Sequence, residues 1–372
     1  MQFVVILFMN HVASCHFVVC RQLHTCQIWK TVSLSPLQIS INYCNIHILS
    51  QNPPSYKILI SKVFTDTVVP EEILKMDNVE YGGTGFYYDK SPKLPEAVEH
   101  IFPDYHLYDE YVKEQVRNGT DIRKFKEYTD MSIGFMTRGC IRQCKFCVNQ
   151  NYTKASVHSK IEEFFDPSRK YICLLDDNIF ACKDWKSIFD ELIATRHKFQ
   201  FKQGMDERLL TEEKCDYLFN KANYYGDYTF AFDNIKDQPI IEKKLQMIRD
   251  FTSKQCRFYL FCGFNHDNPG TYSDEFWKQD IIDMFERIRI LMKYKCIPYI
   301  MRYKDYELSP HRGIYVTVAR WCNQVSFFKT KSFREFCSSC GENHSATRYL
   351  REFEKEYPDV AAEYFNMRFM DA

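Results

Sequence analysis

The chain has 372 residues, with Lys+Arg and Asp+Glu both at 49 and no net charge. That balance excludes a broad basic field for nucleic acid or an anionic membrane, and leaves room only for a local groove. Aromatic residues reach 16%, with 31 Phe and 25 Tyr, enough apolar surface for a core and too much for a disordered chain, while 16 irregularly spaced cysteines read as reduced thiols of a cytoplasmic protein rather than a disulfide framework.

The opening "MQFVVILFMNHVASC" holds an apolar run too short to span a bilayer, with no Lys or Arg before it and no clean cleavage site. Nothing later is apolar for long enough to try, so no membrane partner is expected. Residues 1–54 contain no Gly, few charges and scattered Cys15, Cys20, Cys26 and Cys44; they form an atypical segment that does not read as a folded domain. From Tyr56 the pattern becomes regular. "YKILISKVF" predicts a buried strand, and "NVEYGGTGF" a second one ending in a turn at Gly82, Gly83 and Gly85. A phosphate cradle there would need an amphipathic helix next, where Pro92 and Pro95 stand instead. Residues 55–129 thus read as a small α/β region and a Pro-punctuated linker with a short helix.

Between residues 130 and 325 the sequence becomes repetitive. Strand-like runs "MSIGFMTRG", "KYICLLDDN", "KFQFKQGM", "DYTFAFDN", "RFYLFCGFN" and "CIPYIMRY" alternate with helix-like runs near 159–165, 183–196, 211–222, 238–252, 273–294 and 310–323. Apolar strands separated by amphipathic helices imply a parallel sheet covered by helices. The span is shorter than the roughly 250 residues of a closed eightfold barrel, so a partial (β/α)6 barrel fits better. Residues 326–372 read as a C-terminal helical extension. Polar residues fall at the carboxyl ends of the strands, where such folds gather function. They are Asp176, Asp177 and Asn178 after the second strand, Gln203, Asp206 and Arg208 after the third, Asp233 and Asn234 after the fourth, Asn265 and His266 after the fifth, and Arg302 near the sixth.

After the first strand comes "TRGCIRQCKFCVNQ", with Cys140, Cys144 and Cys147 in a C-x3-C-x2-C pattern and Gly139 just before it. A structural zinc site closes four positions, usually with paired C-x2-C elements. Three thiolates on a four-iron cluster leave one iron open to another ligand.

This cysteine spacing after a strand, with βα units following, resembles the radical S-adenosylmethionine superfamily over roughly residues 130–325. The resemblance implies a radical-SAM-type barrel in which Cys140, Cys144 and Cys147 hold a [4Fe-4S] cluster. The amino and carboxylate groups of S-adenosylmethionine would chelate the fourth iron. It implies reductive cleavage of that cosubstrate to methionine and a 5′-deoxyadenosyl radical, which abstracts hydrogen from a substrate the sequence does not identify. A reductant such as a ferredoxin or flavodoxin would be the partner. Phe146 matches the family's aromatic near the adenine. The family's Gly-Gly-Glu-like element would fall on Leu174–Asn178, where no glycine pair stands. Asp176, Asp177 or Asn178 could accept from the cosubstrate's ammonium, or cap the next helix. Gln203 or Arg208 could meet its carboxylate or ribose, or make ordinary loop salt bridges. No catalytic residue toward the substrate is singled out.

The strands at 56–86 resemble a degenerate cobalamin-binding region. The Asp-x-His-x-x-Gly element is absent, and cobalamin is not expected. Cys337-x2-Cys340, with Cys322 and His344 nearby, is a weak pattern for zinc or a second cluster. Cys173, Cys182, Cys215, Cys256, Cys262 and Cys296 read as buried small hydrophobes. The leading alternative to an enzyme is an iron–sulfur electron carrier or redox sensor, which has no use for polar strand ends. A zinc-stabilised nucleic-acid module is disfavoured by the neutral charge. A methylthiotransferase would carry a second three-cysteine cluster before residue 130, and none is present.

Overall fold

The computed structural model describes residues 2–9, 15–22, 30–34, 56–62, 67–90 and 99–371. The stretch 91–98, with Pro92 and Pro95, and Cys26 and Cys44 lie outside them. The chain divides into two compact units, one of residues 1–132, 147–151 and 162–170, the other of residues 133–146, 152–161 and 171–372.

The smaller unit is built on a mixed sheet. Its strands are β1 (Gln2–Met9), β2 (Cys15–Gln22), β3 (Lys30–Leu34), β4 (Tyr56–Lys62) and β5 (Val79–Gly82), ordered β3-β2-β1-β4-β5. β1 pairs antiparallel with β2 and parallel with β4, placing Val5 opposite Ile58 and Leu7 opposite Ile60. Continuous β-branched and aromatic runs suit such a central position. The strands expected at 56–86 are therefore present, and β1–β3 extend the same sheet into a segment where sequence reading finds no element. Gly83, at φ +97°, turns the chain out of β5 into a single helical turn, Thr84–Tyr87. Ile60 and Ile73 pack with Val69, Leu74, Met76, Val79 and Phe86, and α1 (Asp109–Arg117) buries Tyr111 and Val112 against Phe125.

The larger unit is α/β. Short strand β6 (Met131–Gly134) enters it with its last two residues; β7 (Thr137–Arg138) and β8 (Ser156–Val157) form a two-residue antiparallel ladder. Then come β9 (Tyr171–Leu174), β10 (Lys198–Phe201), β11 (Tyr228–Ala231), β12 (Cys256–Cys262) and β13 (Ile297–Arg302). They make two three-stranded sheets, β10-β9-β6 and β11-β12-β13, with parallel pairing of β9 to β10 and of β12 to both neighbours. Parallel bridges Phe199↔Tyr224 and Met205↔Phe230 link the β10 chain to the β11 chain. The six strands thus neighbour one another in chain order. Among the described residues β6 and β13 do not pair, so the sheets do not close into a barrel.

Helices cross between the strands: α2 (Trp185–Ala194), α3 (Glu212–Cys215, continued by the π-helical turn Asp216–Lys221), α4 (Gln238–Phe251), α5 (Asp274–Lys293) and α6 (Arg312–Asn323). Two of them start on a side-chain cap: Thr211 Oγ1 accepts from Lys214 N–H at the head of α3 and Ser273 Oγ from Phe276 N–H at the head of α5. The core is the apolar strand set, with Phe199, Phe230, Phe258 and Leu260 fully buried under Phe189, Ile241, Leu245, Ile281 and Phe285 of the helices. One predicted helix is missing. Residues 159–165 make only the 3-10 turn Ile161–Glu163, because Pro167 ends the helical pattern and Asp166 turns the chain by accepting from Ser168 N–H and Oγ–H. Residues 326–372 form α7 (Val325–Thr330), α8 (Phe333–Ser339), α9 (Ser345–Glu356) and α10 (Pro358–Tyr364), packed within the larger unit. No helix among the described residues is long and apolar enough to cross a membrane.

Candidate functional site

The cysteine loop runs between β7 and β8, so the ladder of Thr137↔Val157 and Arg138↔Ser156 closes its base. Gly139 opens it at φ +94°, with its Cα against the Lys154 carbonyl oxygen and the Tyr152 side chain; a Cβ there would collide with both. Further along, Gln143 takes a left-handed φ of +49° without being glycine, so the turn between Cys140 and Cys144 is held by its surroundings.

Part of that hold comes from the end of β9. Asp176, 3% exposed, accepts from Thr137 N–H at 2.5 Å, Thr137 Oγ1–H at 2.6 Å and Met136 N–H at 3.2 Å. Burial pushes its carboxyl up to about 6 even though these bonds favour the charged form. Asp177 accepts from Gly139 N–H at 2.8 Å. Asn178, also 3% exposed, donates Nδ2–H to Cys140 Sγ at 3.4 Å, while its Oδ1 is buried with no partner. Three consecutive residues therefore do three jobs. Two tie down the loop, and the third brings an unused acceptor beside a cysteine.

Cys140 Sγ also accepts from the Arg142 backbone N–H at 3.4 Å, and Cys147 Sγ from Asn149 N–H at 3.4 Å. Sulfur is a weak acceptor, and these backbone donors fix where the two sulfurs point. Cys140 and Cys144 belong to the larger unit and Cys147 to the smaller; all three lie outside any disulfide and are half-buried. Cys173, Cys182, Cys215, Cys256, Cys262 and Cys296 are buried and outside any disulfide, in keeping with small hydrophobes, and burial pushes the Cys215 thiol up to about 12. Among the described residues no group of three or more His, Cys, Asp or Glu side chains is gathered to hold a metal ion. The donor chemistry of the loop nonetheless suits an iron–sulfur cluster: thiols outside any disulfide, N–H groups on sulfur, and a buried orphan acceptor at Asn178 for a cationic ligand.

After β10 the polar residues are engaged differently. Asp206, 6% exposed, accepts from Arg142 Nε at 2.5 Å and from Arg208 Nε at 2.7 Å; Arg208 Nη1 reaches Asp237 at 2.7 Å. Burial would raise the Asp206 carboxyl, but the two guanidinium groups outweigh it and hold it below the usual range. Arg208 thus makes loop salt bridges, and Gln203 is exposed at the same strand end. Glu207, fully buried, is not among the residues that sequence reading picks out after this strand. Its Oε2 accepts from Ala231 N–H at 3.2 Å, its Oε1 has no partner, and burial, then the Asp206 charge, push it up to about 8.

Phe146 stacks on Phe261 with ring centroids 4.0 Å apart and meets Phe264 and His266 edge-on, so an aromatic wall stands at the end of β12. Burial, with the Arg287 charge, keeps His266 below its ordinary value, and it is hydrogen-bonded to the Asp233 backbone. Asp233 accepts from Phe261 N–H, and burial pushes it up to about 6 against the charge of Arg287. Other polar strand-end residues serve their own loops. Asn234 accepts from Lys236 N–H, Asn265 spans Asp267, Asn268 and Thr271, and Arg302 lies over the Tyr306 ring. The C-terminal pattern is likewise used locally: Cys322 and Cys337 are fully buried, Cys340 donates to the Phe336 carbonyl, and His344 Nδ1 caps α9.

Comparisons of the chain with family models, with curated proteins and with solved structures return no match.

Proposed function

We propose that the chain is a radical S-adenosylmethionine enzyme built on an open, six-stranded barrel, with Cys140, Cys144 and Cys147 holding a [4Fe-4S] cluster. The observation that carries this reading is the C-x3-C-x2-C loop at the carboxyl end of the first of six sequential strands, with the orphan Asn178 Oδ1 beside Cys140. When bound, the cluster supplies the electron that cleaves the cosubstrate's carbon–sulfur bond. Asn178 accepts from the cosubstrate's ammonium, because its amide oxygen is the acceptor left unspent in that loop. Asp176 and Asp177 position the loop through Met136, Thr137 and Gly139. Gln203, rather than the salt-bridged Arg208, meets the ribose or carboxylate, and Phe146 flanks the adenine. A small redox protein of the ferredoxin or flavodoxin class delivers the electron, and the substrate's class stays open.

The test is anaerobic reconstitution followed by iron and sulfide analysis and 5′-deoxyadenosine assay under strong reductant. The reading expects roughly four irons per chain, slow formation of 5′-deoxyadenosine without substrate, loss of the cluster in Cys144→Ala, and weakened cosubstrate binding with an intact cluster in Asn178→Ala. A loaded cluster that neither binds nor cleaves S-adenosylmethionine would favour an electron carrier. No cluster at all would end the proposal.

A further inference from the structure

Four charged side chains of the larger unit run in one hydrogen-bonded line. Asp237 accepts from Arg208, Arg208 donates to Asp206, and Asp206 accepts from Arg142. The last member stands two residues after Cys140 and two before Cys144, across a sequence separation of 64 from its aspartate. Its backbone N–H meanwhile donates to Cys140 Sγ, and its neighbour Gln143 sits at positive φ. Arg142 is therefore fixed at both ends, through its amide to a sulfur and through its guanidinium to a buried carboxylate. Asp206 is buried whereas Arg142 is about a third exposed, so parting the pair leaves a poorly solvated carboxylate with one guanidinium, that of Arg208, where the structure gives it two.

We propose that Asp206 is a positioning residue for the cysteine loop: it sets the Cys140–Cys144 turn by holding Arg142, and it cancels the Arg142 charge beside a cluster bound there. The inference rests on the cluster reading above for its second half only. The first half concerns the free protein. Charge near an iron–sulfur cluster moves its potential, because reduction adds an electron that a nearby cation stabilises and an anion opposes. Removing the Asp206 charge leaves Arg142 uncompensated and moves the potential up. Removing Arg142 leaves the carboxylate and moves it down. General damage to packing has no reason to give opposite signs.

The experiment compares full-length wild type, Asp206→Asn, Asp206→Glu, Arg142→Gln and Cys144→Ala. In the unloaded proteins, alkylation of Cys140 and Cys144 by a maleimide is followed by peptide mass spectrometry. Freed from its tether, the turn opens more often, and labelling in Asp206→Asn and Arg142→Gln should rise about fivefold or more. Asp206→Glu, which can still reach the guanidinium, should return most of the way. In anaerobically reconstituted proteins the cluster midpoint is read by redox titration, with Asp206→Asn expected above wild type and Arg142→Gln below it. Unchanged labelling, or midpoints that move together, would overturn the inference while a loaded wild type and an empty Cys144→Ala left the cluster reading standing. If wild type takes up no cluster, that reading fails and the labelling arm alone decides whether Asp206 holds the loop.

Discussion

Asp176 and Asp206 stand after neighbouring strands, β9 and β10, and both grip the cysteine loop, but one does so with neutral donors and the other with cations. At the base of the loop, two backbone N–H groups and a hydroxyl converge on Asp176, and burial dominates, so the carboxyl rises to about 6. At the Cys140–Cys144 turn, the guanidinium of Arg142 from the turn and that of Arg208 from the loop after β10 together outweigh the burial of Asp206, and its carboxyl falls. The difference teaches that one loop can be held by geometry at its foot and by charge at its arch. Its foot should ignore salt and obey shape, whereas the arch should respond to every change of nearby charge.

The sharpest way to break the comparison is Asp176→Ala. It leaves three buried donors with no acceptor, and urea unfolding should show a loss of about 3 kcal/mol or more. A loss under about 1 kcal/mol would mean that the foot is held elsewhere. Glu207→Gln asks what a buried acid does with no cation on it. Its folded pKa, about 8, lies above the unfolded 4.5, so its contribution is full below the unfolded value and is lost as pH climbs through the folded one. Wild type should therefore lose about 2 kcal/mol relative to Glu207→Gln between about pH 6 and 7.5. Parallel stability curves for the two proteins would refute the assignment.

Asp176→Asn and Asp206→Asn set the two holds against each other by pH. Asp176 is raised from 3.8 to about 6, so wild type loses ground to Asp176→Asn as pH rises through that window, by about 3 kcal/mol at most. Asp206 is lowered, so its stabilisation is present above the ordinary aspartate range and fades as pH falls through the folded value; the deficit of Asp206→Asn should shrink in acid. Curves of the same slope would erase the distinction. Smallest of all is Asp237→Asn, at the partly exposed outer end of the line. It should cost about 0.5 kcal/mol in dilute buffer and almost nothing in concentrated salt.

The strands were legible because each is an apolar run bounded by turn residues, and the polar strand ends followed from their position. Which of Asp176, Asp177 and Asn178 keeps a free acceptor was not legible, since three adjacent residues after a strand point three ways only once the loop opposite is in place. The pairing of Arg142 with Asp206 leaves no local mark either: no periodicity links residues 64 apart. The segment 159–165 shows the reverse error, an amphipathic pattern outweighed by Pro167 and the Asp166 turn. Glu207 had the weakest signal, a second carboxylate in a polar stretch, and only the approach of the Ala231 amide marks it out.

The chain order of the six strands also sets a timetable. A ribosome adding about 5–20 residues each second delivers the thiols of the cysteine loop several seconds before Asp206, and Asp176 emerges between them. For the first half of that interval the nascent loop has sulfur but neither carboxylate anchor, then Asp176 alone, and its β8 rung arrives before either. Cluster assembly on a half-made chain would therefore meet a loop that is closed at the foot and slack at the arch, so the competent scaffold is one whose β10 has already left the exit tunnel.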